Sequence, residues 1–199
     1  MASLREEKKR ATRQAMADAA ARLVLDGGAE AATISGITAA VGVSPRTFHN
    51  YFSSVADALL YFTADVLESF AADIPSVCPG KSVTAVLEAA LLESLEDEEK
   101  ELRSLHTLYR IGETLDNLSH TSEERRRFER VSDTIISAFQ QRGTDYTDYE
   151  LGVVLSACAV GSIAFRQEID RRQAAGENVS LADKKKLAQS TFSVLRTLD

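Results

Sequence analysis

Arg46, Thr47, His49 and Asn50 lie within one short stretch, and each carries hydrogen-bonding groups suited to the edges of base pairs. In a major groove Arg makes a two-pronged bond to guanine, Asn the equivalent bond to adenine, and a Thr hydroxyl serves either partner. Residues 45–52 contain one Arg and no acid. A helix whose polar face serves only solubility usually carries Lys and Glu at i, i+4 spacing. The acid-free stretch suits a polyanion better. The rival reading is an ordinary helical hairpin with a polar face, which needs these features to coincide by accident.

Such side chains read bases only if a rigid element presents them, and residues 33–60, TISGITAAVGVSPRTFHNYFSSVADALL, supply one. At about 100° per residue, Ile34, Ile37 and Val41 share one face of a first short helix. Gly42 ends it where a positive φ is cheapest, Val43 is the apolar plug of the turn, and Ser44 can cap the next helix. Pro45 follows at the first helical position, where its missing N–H costs nothing. Phe48 and Phe52 point inward together, which leaves Arg46, Thr47, His49 and Asn50 outside and Tyr51 on the flank. Two short helices joined by a tight turn, the second polar outward, form a helix-turn-helix.

The stretch resembles the DNA-binding domain of the tetracycline-repressor (TetR) family, whose pattern runs Thr, Ile-Ala, Ala-Gly-Val-Ser, Thr, Tyr, and Tyr-Phe before a Lys and a Leu pair. Thr33, Ile37, Val41-Gly42-Val43-Ser44, Thr47, Tyr51-Phe52 and Leu59-Leu60 match it. In the preceding helix Met16, Ala19, Ala20 and Leu23 stand at the family's core positions, followed by Gly28. The match covers about the first 60 residues, and its specificity comes from the combination. The resemblance implies base contacts from Arg46, Thr47, His49 and Asn50. Thr33, Ser44, Tyr51 and the arm residues Lys9 and Arg13 would fix phosphates, with Pro45 opening the reading helix. Two departures bear on this. Val55 and Ala56 replace the family's usual Lys and following acid at the start of the fourth helix, so the phosphate contact of that Lys has no counterpart at this position, and His49 replaces the commoner Tyr, which predicts a different operator sequence.

Formal net charge is −7, which argues against a nucleic-acid partner until its distribution is considered. Residues 1–60 hold 7 basic and 6 acidic side chains, whereas residues 61–199 hold 16 and 24. Arg5, Lys8, Lys9, Arg10 and Arg13 outweigh Glu6 and Glu7 and form a basic arm beside the reading helix. Taken without the motif, that arm reads as a frayed, solvated terminus.

At 199 residues and 44% hydrophobic the chain can build a large core in one domain or two close ones. Cys78 and Cys158 are too few for a disulfide framework or zinc site and suggest an intracellular, cytoplasmic protein. Cys158 reads as a small core hydrophobe. The charged start lacks a signal peptide's apolar stretch, and the uncharged run at 151–165 is shorter than the roughly 20 residues a membrane span needs. P-loop, dinucleotide and His-Glu-x-x-His motifs are missing, and His49, His106 and His120 lack metal-ligand spacing, so neither an enzyme nor a cofactor is expected.

The rest predicts an all-α protein of about nine helices. Ser54 with Asp57, Thr121 with Glu124, Thr147 with Glu150, and Ser180 with Asp183 form capping-box pairs. Leu59, Phe62, Val66 and Phe70 make one stripe on a fourth helix, and Val83, Val86, Leu87, Ala90 and Leu91 another on a fifth. The expected organisation is a DNA-binding domain at 1–53, a connecting helix at 54–73, and an effector-binding and dimerisation domain at 74–199. A helix at about 148–175 is apolar nearly all round through Phe165, and its Gly161 suggests close approach of another backbone. The last helix offers Leu187, Thr191, Phe192, Leu195 and Leu198. One chain has difficulty covering both helices, whereas two copies could do so in a four-helix bundle about a two-fold axis. The resemblance implies that homodimer, with recognition helices about 34 Å or somewhat more apart on a palindromic site.

Effector contacts are expected from polar residues in otherwise apolar surroundings: His106, Tyr109, Arg110, Glu113 and Asn117, with Ser156 and Ser162. Ordinary surface exposure or core satisfaction is the commoner account of any one of them. The run Arg125-Arg126-Arg127 with Arg130 could bind an anion, but Glu123, Glu124 and Glu129 suggest a self-compensated face. The reading is a dimeric transcriptional regulator, which the resemblance implies to be a repressor released from its operator by a small molecule, with no membrane partner. Its alternative is the same fold regulated through a protein partner.

Overall fold

The computed structural model describes residues 4–74, 82–96, 98–117 and 122–197, and among them every regular element is a helix. Ten are present, α1 (Leu4–Gly27), α2 (Ile34–Val41), α3 (Pro45–His49), α4 (Val55–Asp73), α5 (Val83–Ser94), α6 (Glu98–Leu102), α7 (Leu105–Asn117), α8 (Ser122–Gln141), α9 (Asp148–Ala174) and α10 (Leu181–Arg196). One more is found than the sequence predicts because Arg103 and Ser104 interrupt the expected sixth helix. Ser104 accepts from the Thr107 backbone N–H at 3.3 Å and so caps α7 anew. Cys78, Thr121 and the side chains of Asn117, Arg125 and Arg127 lie outside the described residues.

The chain divides into two compact units, Met1–Leu67 with Arg110–Ser132, and Glu68–Tyr109 with Asp133–Asp199. In the first, α2 packs on α1 and α3 on α2. The core between them is built from Met16, Ala17, Ala20, Ala21 and Val24 of α1, Ile37 of α2, and Phe48 and Phe52. Small residues on α1 are what let the short helices come close, and Gly36 carries this furthest. A Cβ added there would stand 3.2 Å from Leu23 Cδ1 and 3.2 Å from Thr33 Oγ1. On α2 the buried stripe differs slightly from the expected one. Ile34 and Val41 are half-buried, and Thr38 is buried beside Ile37. The Thr38 hydroxyl donates to the Ile34 carbonyl at 2.8 Å, which removes the cost of burying it.

In the second unit α5, α9 and α10 pack together, burying Val83, Val86, Leu87 and Leu91 of α5, Leu151, Cys158, Phe165 and Ile169 of α9, and Ala188 and Phe192 of α10. Both expected capping boxes are present here. Thr147 and Ser180 accept from the backbone N–H groups of Glu150 and Asp183, whose carboxylates reach back to the cap backbones. Those bonds favour the ionised acids, and both carboxyls sit below their ordinary pKa, Glu150 through the Thr147 backbone N–H first and Asp183 through the Ser180 hydroxyl first. Gly161 does mark a close approach, but by side chains. A Cβ there would lie 2.9 Å from Leu195 Cδ1 and 3.3 Å from Thr191 Cγ2 of α10.

Helix α9 is covered on one face only. Its buried residues Leu151, Cys158, Ser162, Phe165 and Ile169 form a single stripe, while Tyr149, Val153 and Val160 are 81%, 51% and 59% exposed. By length and composition α9 is the one described helix that could cross a membrane, with mean hydropathy 1.4 over an apolar window 22% buried. Its uncharged run, 151–165, extends about 22 Å at 1.5 Å per residue, short of a hydrocarbon core roughly 30 Å thick.

Candidate nucleic-acid interface

The turn between α2 and α3 is made by the residues expected of it. Gly42 takes φ 70° and ψ 34°, left-handed geometry that a Cβ would strain. The Val43 N–H closes onto the Thr38 carbonyl at 3.0 Å, the wrap-around bond of a Schellman ending. Ser44 Oγ then accepts from the Thr47 backbone N–H at 3.1 Å, and Pro45 opens α3. Thr33 does the same for α2, accepting from the Gly36 N–H at 3.0 Å. Each cap uses the hydroxyl as an acceptor, which leaves the Thr33 O–H to donate outward. Ser44 Oγ and Thr47 Oγ1 also lie 2.9 Å apart. One of those two hydroxyls donates to the other, so the pair offers a single outward donor.

Beneath α3, Phe48 and Phe52 are buried, and their ring centroids are 5.6 Å apart. Arg46, His49 and Asn50 are exposed on the opposite side and Thr47 is half-buried. The helix proper ends at His49. Asn50 is its cap, with its N–H bonded back to the Arg46 carbonyl, so the outward set spans α3 and its last turn. His49 stands edge-on to Phe48 at 5.7 Å, and Tyr51 is half-buried on the flank.

The basic arm is helical. Residues 4–10 are exposed and belong to the continuous α1, so Lys9 is carried at a set distance from the turn. Arg13 behaves differently. Its guanidinium carbon lies 4.3 Å from the centroid of Tyr61 and 5.1 Å from that of Phe52, and its Nε is shut off from solvent with no hydrogen-bond partner. The sequence places Arg13 with the phosphate contacts, but the fold turns its charge onto two rings. No local signal could have shown this, because Tyr61 is brought to Arg13 only by packing. Val55 is half-buried at the first position of α4. The expected box at this end is altered, since Ser54 Oγ accepts from the Asp57 N–H at 3.0 Å while the Asp57 carboxylate takes the N–H of Ser53 at 3.0 Å.

Residues 17–60 match the family described as bacterial regulatory proteins, tetR family. The chain thus carries a DNA-binding head of the TetR family. The matched segment contains the turn, both caps, the inward aromatics and the outward face, so the TetR head is a DNA-binding one and the protein a DNA-binding transcription regulator. No curated protein matches the chain.

The expected effector residues of this TetR regulator are not gathered in one unit. Arg110 and Glu113 fall in the first, while His106, Tyr109, Ser156 and Ser162 fall in the second. His106, Tyr109 and Arg110 are half-buried and Glu113 is exposed. Ser162 is buried and donates to the Cys158 carbonyl at 2.9 Å, whereas Ser156 is exposed and donates to the Gly152 carbonyl at 2.7 Å. Both hydroxyl protons are held by the helix itself.

Proposed function

We propose that the protein is a homodimeric repressor that binds a palindromic operator and is released from it by a small-molecule effector. The observation that carries the DNA-reading part is a doubly capped, acid-free α3 held on buried Phe48 and Phe52 with Arg46, His49 and Asn50 outward. In this reading Arg46, Thr47, His49 and Asn50 contact bases, while Lys9, Thr33, Ser44 and Tyr51 contact phosphates and set the register. Support for the dimer is the uncovered apolar face of α9, since a second copy packing its own α9 and α10 there would bury Val153 and Val160. Effector binding in the region 74–199 favours a state in which α4 carries the two heads out of half-site spacing. A ligand preferring that state must weaken DNA affinity, because linkage is reciprocal.

The test is selection of bound duplexes from a random-sequence pool. An inverted repeat with half-sites one helical turn or slightly more apart is the expected product, and enrichment of no sequence would end the operator reading. Mobility shifts repeated with candidate effectors test release, and unchanged affinity with every one of them removes induction. A second reading, regulation through a protein partner, is favoured by Val55, which puts an apolar group where the family usually places a cation for phosphate.

A further inference from the structure

Between the basic arm and the reading face runs an unbroken series of ring contacts. Arg13 of α1 lies over Tyr61 of α4 at 4.3 Å and over Phe52 at 5.1 Å. Phe52 meets Tyr61 at 5.7 Å and Phe48 at 5.6 Å, and Phe48 meets His49 at 5.7 Å. The series thus begins one helical turn beyond Lys9, passes beneath α3 and ends at a residue of the outward face.

We infer that Arg13 is a positioning residue for DNA reading rather than a phosphate contact: its guanidinium, stacked on Phe52 and Tyr61, locks α1 to the end of α3 and to α4. Three features support this. The Nε of Arg13, one of its five N–H donors, is shut off from solvent and makes no hydrogen bond, so that donor is closed to phosphate. A flat, weakly hydrated cation can occupy that place at low cost because both ring faces present negative charge to it. Arg13 also stands where three elements must be held together at once, and the small side chains of α1 buried nearby, Met16 apart, offer no comparable grip. Because Tyr61 belongs to α4, a shift of that helix would loosen the same clamp and so disturb α3. The inference rests on the reading of this unit as a DNA-binding head.

The experiment measures affinity for the pool-selected duplex across a salt series, using the full chain and folded protein at matched active concentration. Arg13→Met is expected to weaken binding about tenfold at every salt concentration, leaving the slope of log affinity against log salt as in the wild type. Lys9→Met, as the control, should make that slope shallower by about one per head. Arg13→Lys keeps the charge without the flat stacking surface and should restore little of the loss. Tyr61→Leu should weaken binding to a similar degree, and the double variant no further. A shallower slope in Arg13→Met, full rescue by Arg13→Lys, additive losses in the double variant, or wild-type affinity in folded Arg13→Met would each overturn the inference. Where Arg13→Met does not fold, the Arg13→Lys slope and affinity decide alone. Wild-type protein that retains no duplex would instead remove the DNA-binding reading itself.

Discussion

Arg46 carries the clearest consequence for recognition, because it is exposed on the reading helix and its planar fork can grip a base edge at two points. Arg46→Ala should relax preference at one operator position by about 1–3 kcal/mol while sparing the others. Comparing wild-type and variant pool selections checks this, and an unchanged base profile would place Arg46 off the bases. Gly42 matters for a different reason. At φ 70° it makes the turn that sets the angle between α2 and α3, and a Cβ in left-handed geometry costs about 1–2 kcal/mol. Gly42→Ala should therefore lower the unfolding free energy by that amount, read in urea as a lower midpoint at unchanged slope, with no contact removed.

At the scale of elements, Gly161 governs how closely α9 and α10 pack. An added methyl would meet the mobile end of Leu195 at 2.9 Å, while Ala favours a helix over Gly by roughly 1 kcal/mol. These oppose each other, so Gly161→Ala should be near neutral, whereas Gly161→Leu cannot be accommodated by one side chain and should cost about 1–3 kcal/mol. Denaturant titration of the pair separates the two effects. Near the end of α9, hydrogen bonds from Arg171 and then Arg172 hold the Glu168 carboxyl at about 2 against an ordinary 4.5. A pKa lowered by folding stabilises where the unfolded carboxyl is ionised, above about pH 4.5, and the benefit is lost as pH falls through the folded value. The Tm gap between wild type and Glu168→Gln should thus be present above pH 4.5, shrink between 4.5 and about 2, and vanish below. Because the pair is solvent-facing, high salt should narrow it as well.

For the molecule as a whole, the proposed dimer gives the strictest test. Val153 and Val160 are 51% and 59% exposed on the uncovered face of α9. Val160→Glu, or Val153→Glu, should leave each chain folded and shift sedimentation from dimer to monomer. Operator affinity should fall with it, since one head then binds without its partner's contribution. A variant that remains dimeric would move the interface away from this face. A net charge of −7 is compatible with binding a polyanion. The basic residues need only be local to the reading surface, while acid elsewhere discourages docking in the wrong orientation.

The helix-turn-helix was legible in the sequence because its determinants are local. A left-handed glycine, a capping hydroxyl, a proline at the first helical position and aromatics one turn apart each act through neighbours a few residues away. The capping boxes at Thr147 and Ser180 were legible for the same reason. What needed the folded chain was everything set by distant partners. Tyr61 turns Arg13 inward, Leu195 gives Gly161 its purpose, and packing buries Ser162 while it leaves Ser156 exposed. Periodicity reports that a helix has an apolar face. Only packing decides which part of that face the chain covers for itself and which it leaves exposed, at Val153 and Val160.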